Sequence, residues 1–179
     1  MNQDLMHVND FVTGKEPELE IFGSIQPTKD LWKKRAFRSN NAHSKIFAIF
    51  LSYQHPFDLL TGQRIDTEKA LSWSNQKEFH HLFPQAFLKS KKYSAIDINC
   101  LANIIILSSA SNKIISDQAP SAYLRDVEKS AGSKLQMWLD SNVIPVAAFE
   151  AAKRDDYESF IEIRSAAINE QILKQAGFV

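Results

Sequence analysis

Residues 78–84 read Glu-Phe-His-His-Leu-Phe-Pro, and this run limits what the chain can fold into more than any other. It reads as a short strand from Glu78 to Phe83, which Pro84 must end because it has no amide hydrogen to give a ladder. Downstream, Ile104–Leu107 is an unbroken apolar run of strand length and predicts a second, fully buried strand. Ser108–Ile115 then reads as the start of a helix. Two strands leading into a helix give a compact ββα unit over about residues 78–116. Neighbours on an extended strand point to opposite faces, so one imidazole of His80 and His81 is free to hold an ion while the other faces a substrate. The chain has only five histidines, and this pair uses two of them. The downstream apolar strand carries Asn103 in Ala-Asn-Ile-Ile-Ile-Leu, and Asn112 follows on the helix.

The residues around these positions allow a family comparison. HHLFPQAFL at 80–88, INCLANIIIL at 98–107, SNKII at 111–115 and APSAYL at 119–124 occur in that order. Together they resemble the C-terminal nuclease domain of GmrSD-type, modification-dependent restriction enzymes of the HNH (ββα-metal) superfamily. The tail FIEIRSAAINEQI at 160–172 is similar to the closing helix of such domains. The resemblance implies a mainly helical α+β fold with a ββα-metal core embedded in surrounding helices. It also implies a metal-dependent DNA endonuclease, used in restriction of foreign or modified DNA.

By the same resemblance, His80 is a metal ligand and His81 the general base that takes a proton from water. Asn112 offers its side-chain oxygen to the ion. Asn103 binds no metal; its amide bridges backbone groups around His81 and fixes the direction of that ring, as outer-shell groups do. Asn99 is an alternative for that role. Many HNH proteins place Asp before the base and His at the last position, where this chain has His80 and Asn112. The implied cofactor is a divalent cation, Mg²⁺ first, with Mn²⁺ or Zn²⁺ admitted by the imidazole ligand. No third protein ligand is visible. Lys91, Lys92 and Lys113 are candidate phosphate contacts, and a solvated face is the competing reading for each. The implied partners are DNA and a ParB-like nucleotide-hydrolysing domain, whose Gly-rich or Asp-Gly-Gln-Arg-like motifs this sequence does not contain. A catalytically inactive nucleic-acid- or protein-binding module with the same shell is the alternative function, and hydrolysis of another phosphoester a third.

Composition sets outer bounds. With 179 residues, 44% hydrophobic and 23% charged, the chain suits one globular domain. We place that domain at 30–179, after an N-terminal arm at 1–29 with a short strand at Glu20–Phe22. Cys100 is the single cysteine, which excludes an internal disulfide and any Cys-rich zinc knuckle, and reads as a buried thiol. Neither a signal peptide nor an apolar run of the roughly 20 residues that span a bilayer is found, so the expected location is cytoplasmic. Net charge is zero, yet residues 30–129 hold 14 Lys and Arg against 9 Asp and Glu. The motif-bearing segment is basic and the flanks acidic, which is compatible with a phosphate-binding face.

Elsewhere, helices are expected from Asp30 (as its cap), over Asn41–Tyr53, from an Asp66 cap to Leu71, over Ser121–Lys129 and Lys134–Leu139, and from Ala147 to Gln175. The second of these should turn Ile46, Phe47, Ile49, Phe50 and Tyr53 to a broad apolar face. Trp32, Trp73 and Trp138 read as core anchors. His7, His43 and His55 read as surface or cap residues.

Overall fold

The computed structural model describes residues 12–15, 27–38, 40–71 and 78–177. The expected strand at 20–22, His7 and Trp73 lie outside them. The fold is mainly helical, with one two-stranded antiparallel sheet, and is therefore α+β. Among the described residues, no helix is long and apolar enough to cross a membrane.

Helix α1 (Lys29–Lys34) starts one residue before Asp30, so Thr28 holds the cap position. Asp30 instead pairs along the helix with Lys33 and Lys34, at 3.2 and 2.8 Å. Inward, α1 buries Trp32, whose indole donates to Asn169 Oδ1 at 3.1 Å. Helix α2 (Ala42–Tyr53) is capped by Asn41, whose side-chain oxygen accepts from the His43 and Ser44 amides. It buries Ser44, Phe47, Ala48, Phe50 and Leu51, whereas Ile46, Ile49 and Tyr53 point outward. This corrects the broad apolar face expected there. The helix carries two apolar stripes at helical spacing, and the small Ser44 and Ala48 let only one of them approach the core closely.

After α2 the chain turns back through a bridge between Phe57 and Arg64. Gly62 holds a φ of +65° in this turn, and a Cβ there would stand 2.0 Å from the Trp138 ring, so only glycine fits. Buried Asp58 organises the same turn. Its carboxylate accepts from the amides of Leu60 (2.9 Å), Thr61 (3.1 Å) and Ser108 (2.9 Å) and from the Ser111 hydroxyl (2.7 Å). Burial pushes this carboxyl up, but the hydrogen bonds from Ser108, Ser111 and Thr61 outweigh it and hold the group below the usual aspartate range. Helix α3 (Thr67–Leu71) follows.

Strand β1 (Phe79–His81) pairs antiparallel with β2 (Ile104–Ile106), with His80 opposite Ile105 and His81 opposite Ile104. Between them run α4 (Gln85–Ser90), the single turn α5 (Ala95–Ile98) and a 3-10 turn at Leu101–Asn103. The sequence does not announce α5; its start is fixed by the Ser94 hydroxyl, which accepts from the Asp97 amide. All three β2 residues are buried, and α6 (Ser109–Ile115) follows directly, capped by Ser108. Cys100 is a buried free thiol whose ionisation burial disfavours.

Helices α7 (Pro120–Ala131), α8 (Leu135–Ser141), α9 (Val146–Ala152) and α10 (Tyr157–Gln175) close the structure. The single helix expected from 147 to 175 is thus two. Asp155, at φ +60°, turns the chain and binds the Ser121 amide and hydroxyl, and Asp156 then caps α10 by accepting from Ser159 N. Hydrophobic periodicity passes smoothly over such a break because both halves bury a similar stripe. Helix α10 packs against α9 and α1 and buries Tyr157, Phe160, Ile161 and Ile168. It also buries Arg164 completely. The guanidinium meets backbone carbonyls: Ala102 at 2.7 Å, Asn142 at 3.0 Å and Val143 at 3.3 Å. Burial pulls its pKa down to about 9.

Candidate active site

Where β1 ends, the chain must bend at Leu82–Pro84, and every backbone group in the bend finds a partner. The Leu82 amide donates to the Asn103 carbonyl at 2.9 Å, and the Leu82 carbonyl accepts from the buried Tyr123 hydroxyl at 2.6 Å. The Phe83 amide donates to Asn103 Oδ1 at 2.9 Å, while Asn103 Nδ2 donates back to the Phe83 carbonyl at 3.1 Å and to Ile98 O at 2.9 Å. Asn103 is fully buried, and one amide side chain thus pins the bend to the turn that precedes β2. The Phe83 ring anchors the other side, 5.0 and 5.2 Å from the rings of Tyr157 and Phe160.

Beside this bend lies a polar cleft of about 260 Å³ lined by His80, His81, Pro84, Gln85, Asn112, Ser116 and Asp117. The three residues expected to act together, His80, His81 and Asn112, therefore border one space. Both histidines border it, on a strand that is only three residues long and bends at once. Helix α6 brings Asn112 to the cleft, Ser116 borders it from the turn just past the helix end, and Asp58 fixes the start of that helix. His80 Nε2 is shielded from solvent.

The His81 ring is held by Asn99 rather than by Asn103. His81 Nε2 lies 3.0 Å from Asn99 Oδ1, and Gln85 Nε2 donates to the same oxygen at 3.1 Å. Asn99 Nδ2 is committed to the Ala95 carbonyl at 2.7 Å. The two asparagines considered for one role thus divide it, with Asn103 on the backbone and Asn99 on the ring. Burial holds His81 below the ordinary histidine value; the Asn99 bond opposes this, and the charges of His80 and Lys89 add to it.

Lys91, Lys92 and Lys113 are exposed and none lines the cleft. Lys91 stands 5.7 Å from the Phe87 ring, and Lys92 adopts φ +66° at the end of α4. The lysine whose field reaches His81 is Lys89, four residues after Gln85 on the same face of α4. That spacing was readable, since i and i+4 share a face once the helix is placed. Asp117 brings a carboxylate to the cleft that the sequence did not flag. It follows Ser116, whose φ of +48° belongs to a region that favours glycine, in a turn closed by Gln118 N to Ile115 O at 3.0 Å. If DNA is the partner, as the family resemblance implies, Lys89→Ala should lower its affinity and reduce the salt slope by about one unit, with a smaller loss for Lys91→Ala and Lys92→Ala together. Fluorescence anisotropy against salt concentration checks both.

No family model matches the chain, and no solved structure matches it. An uncharacterized protein of Methanocaldococcus jannaschii is 29% identical over 118 residues, covering 54% of this chain and 20% of that protein. About half of this chain is thus similar to a fifth of a longer relative. That likeness names no activity.

Proposed function

We propose that this chain is a divalent-metal-dependent DNA endonuclease of the HNH (ββα-metal) kind, acting in the cytoplasm to restrict foreign or modified DNA. The observation that supports the reading is the meeting of His80, His81 and Asn112 along one polar cleft, beside two antiparallel strands that lead into a helix. In this reading the unit over 78–116 is the ββα-metal core, and His81 accepts the proton of the attacking water. Burial keeps that ring neutral near neutral pH, as a base must be. Asn103 keeps the bend after His81 in place, and Lys89 draws the phosphate backbone to the cleft.

The donors that border the cleft fit a hard or borderline cation: the His80 imidazole, the Asn112 amide oxygen and the Asp117 carboxylate. Mg²⁺, Mn²⁺ or Zn²⁺ suits such a set. When bound, the ion would offset charge on the phosphate and on the leaving oxygen. His80→Ala and Asn112→Ala are each expected to weaken Mn²⁺ binding about tenfold or more, read by calorimetry on the full chain. A ParB-like nucleotide-hydrolysing domain is the partner proposed for such a nuclease.

Nicking of supercoiled plasmid in Mg²⁺, Mn²⁺ or Zn²⁺, abolished by EDTA, tests the proposal. One observation favours a second reading, a binding module without turnover: among the described residues, no group of three His, Cys, Asp or Glu is placed to hold a metal ion. DNA binding without nicking in any of the three metals would decide for that module.

A further inference from the structure

We infer that Ser116 is a substrate-binding residue of the cleft, retained at the expense of stability so that its hydroxyl donates to a phosphate oxygen of the bound strand. Two helices of the fold end on the same backbone geometry. Helix α6 ends at Ser116 (φ 48°, ψ −125°) and α7 at Gly132 (φ 51°, ψ −125°), and each of these residues donates its amide to the carbonyl four residues back. The conformation lies outside the left-handed helical well. It is that of the first central residue of a type II′ turn, a position that glycine dominates. At Gly132 nothing stands within 4 Å of where a Cβ would lie, so conformation and not lack of room selects glycine there. Ser116 carries a side chain through the same strained geometry. Among the described residues its hydroxyl has no hydrogen-bond partner, and its turn is closed by backbone alone, Gln118 N to Ile115 O at 3.0 Å. The fold therefore gains nothing from this side chain.

Location separates the two positions. Ser116 borders the polar cleft together with His80, His81, Gln85 and Asn112, and Gly132 does not. An unpartnered hydroxyl on that rim is a donor held ready for an anionic oxygen. The Asp117 carboxylate beside it repels an anion, so the phosphate enters with its cation. The strain stands by itself; the phosphate contact rests on the nuclease reading above.

Two substitutions separate strain from contact. Ser116→Gly removes Cβ and hydroxyl together, whereas Ser116→Ala removes the hydroxyl alone. In the full chain, Ser116→Gly should raise the melting temperature by about 2–6 °C, net of the freedom that glycine adds to the unfolded chain. Ser116→Ala should leave it within about 1 °C. Both should weaken binding of a labelled DNA duplex about tenfold, read by fluorescence anisotropy in Ca²⁺, and lower kcat/KM for plasmid nicking to match. A residue that served only the fold would move stability and binding in the same direction. A Ser116→Gly protein no more stable than wild type, or a Ser116→Ala protein with wild-type duplex affinity, would overturn the inference. If Ser116→Ala weakens duplex binding while the wild type never nicks, the nuclease reading fails and the contact holds. A wild type that binds no duplex overturns both.

Discussion

Asn103→Ala should lower the unfolding free energy by roughly 3 kcal/mol or more, because it strips partners from three buried backbone groups at once. The Phe83 amide and the carbonyls of Phe83 and Ile98 would each face a buried space with no water to replace the lost bond. For a chain of this length that corresponds to a melting temperature lower by about 6–12 °C. Asn103→Asp should do no better, since it keeps the acceptor for Phe83 N–H but aims carboxylate oxygens at two carbonyls. Urea denaturation of the three proteins measures this. A cost below about 1 kcal/mol would mean that the bend after His81 holds without its clamp. Cleavage by Asn103→Ala should fall as well, because the bend is what brings the histidine pair to the cleft.

On the proposed nuclease reading, replacing His81 should leave the fold intact and remove the chemistry. His81→Ala is expected to lower kcat by about 10²- to 10⁴-fold, the usual contribution of a positioned base, with most metal binding retained. The pH profile carries the sharper test. Burial depresses the folded pKa of His81 below about 6.5, the ordinary value that the unfolded chain retains. The ring is therefore neutral at and above that pH, and cleavage should rise through mildly acidic pH and level off near neutrality. Stability follows the same sign: as pH falls, the unfolded chain binds a proton before the folded one does. The stability linked to this group is present above about pH 6.5 and is lost as pH drops through the depressed folded value. Rates and denaturation midpoints for wild type and His81→Ala, each between about pH 5 and 8, measure both effects. A wild-type rate that stays flat across that range, with metal and DNA saturating, would remove histidine as the base.

What could be read from the sequence was governed by distance along the chain. The two strands and α6 were legible because their signals are local: an apolar Ile104–Leu107 run, a stop at Pro84, a serine cap at Ser108. The grouping of His80, His81 and Asn112 at one cleft followed once those elements were placed. The break between α9 and α10 was not legible, since Asp155 leaves the helix to bind Ser121, 34 residues earlier. Asn99 was undervalued for a similar reason. Its contact with His81 depends on α5, one turn of helix with no hydrophobic period to announce it. Asp58 carries no local signal, and its bonds to Ser108 and Ser111 cross 50 residues or more. In each case the missing information was a long-range partner for a polar group.

The buried guanidinium of Arg164 ties the order of synthesis to activity. It grips the Ala102 carbonyl, inside the turn that seats Asn103, from 62 positions further along the chain. A polypeptide still being made therefore carries both histidines and both asparagines long before it can hold them in place. The turn is completed only after α10 has left the ribosome and docked, because nothing earlier in the chain brings that group to the carbonyl. Whatever chemistry the cleft performs thus waits on the docking of α10, and a break that frees α10 unseats the turn without touching a residue of the cleft.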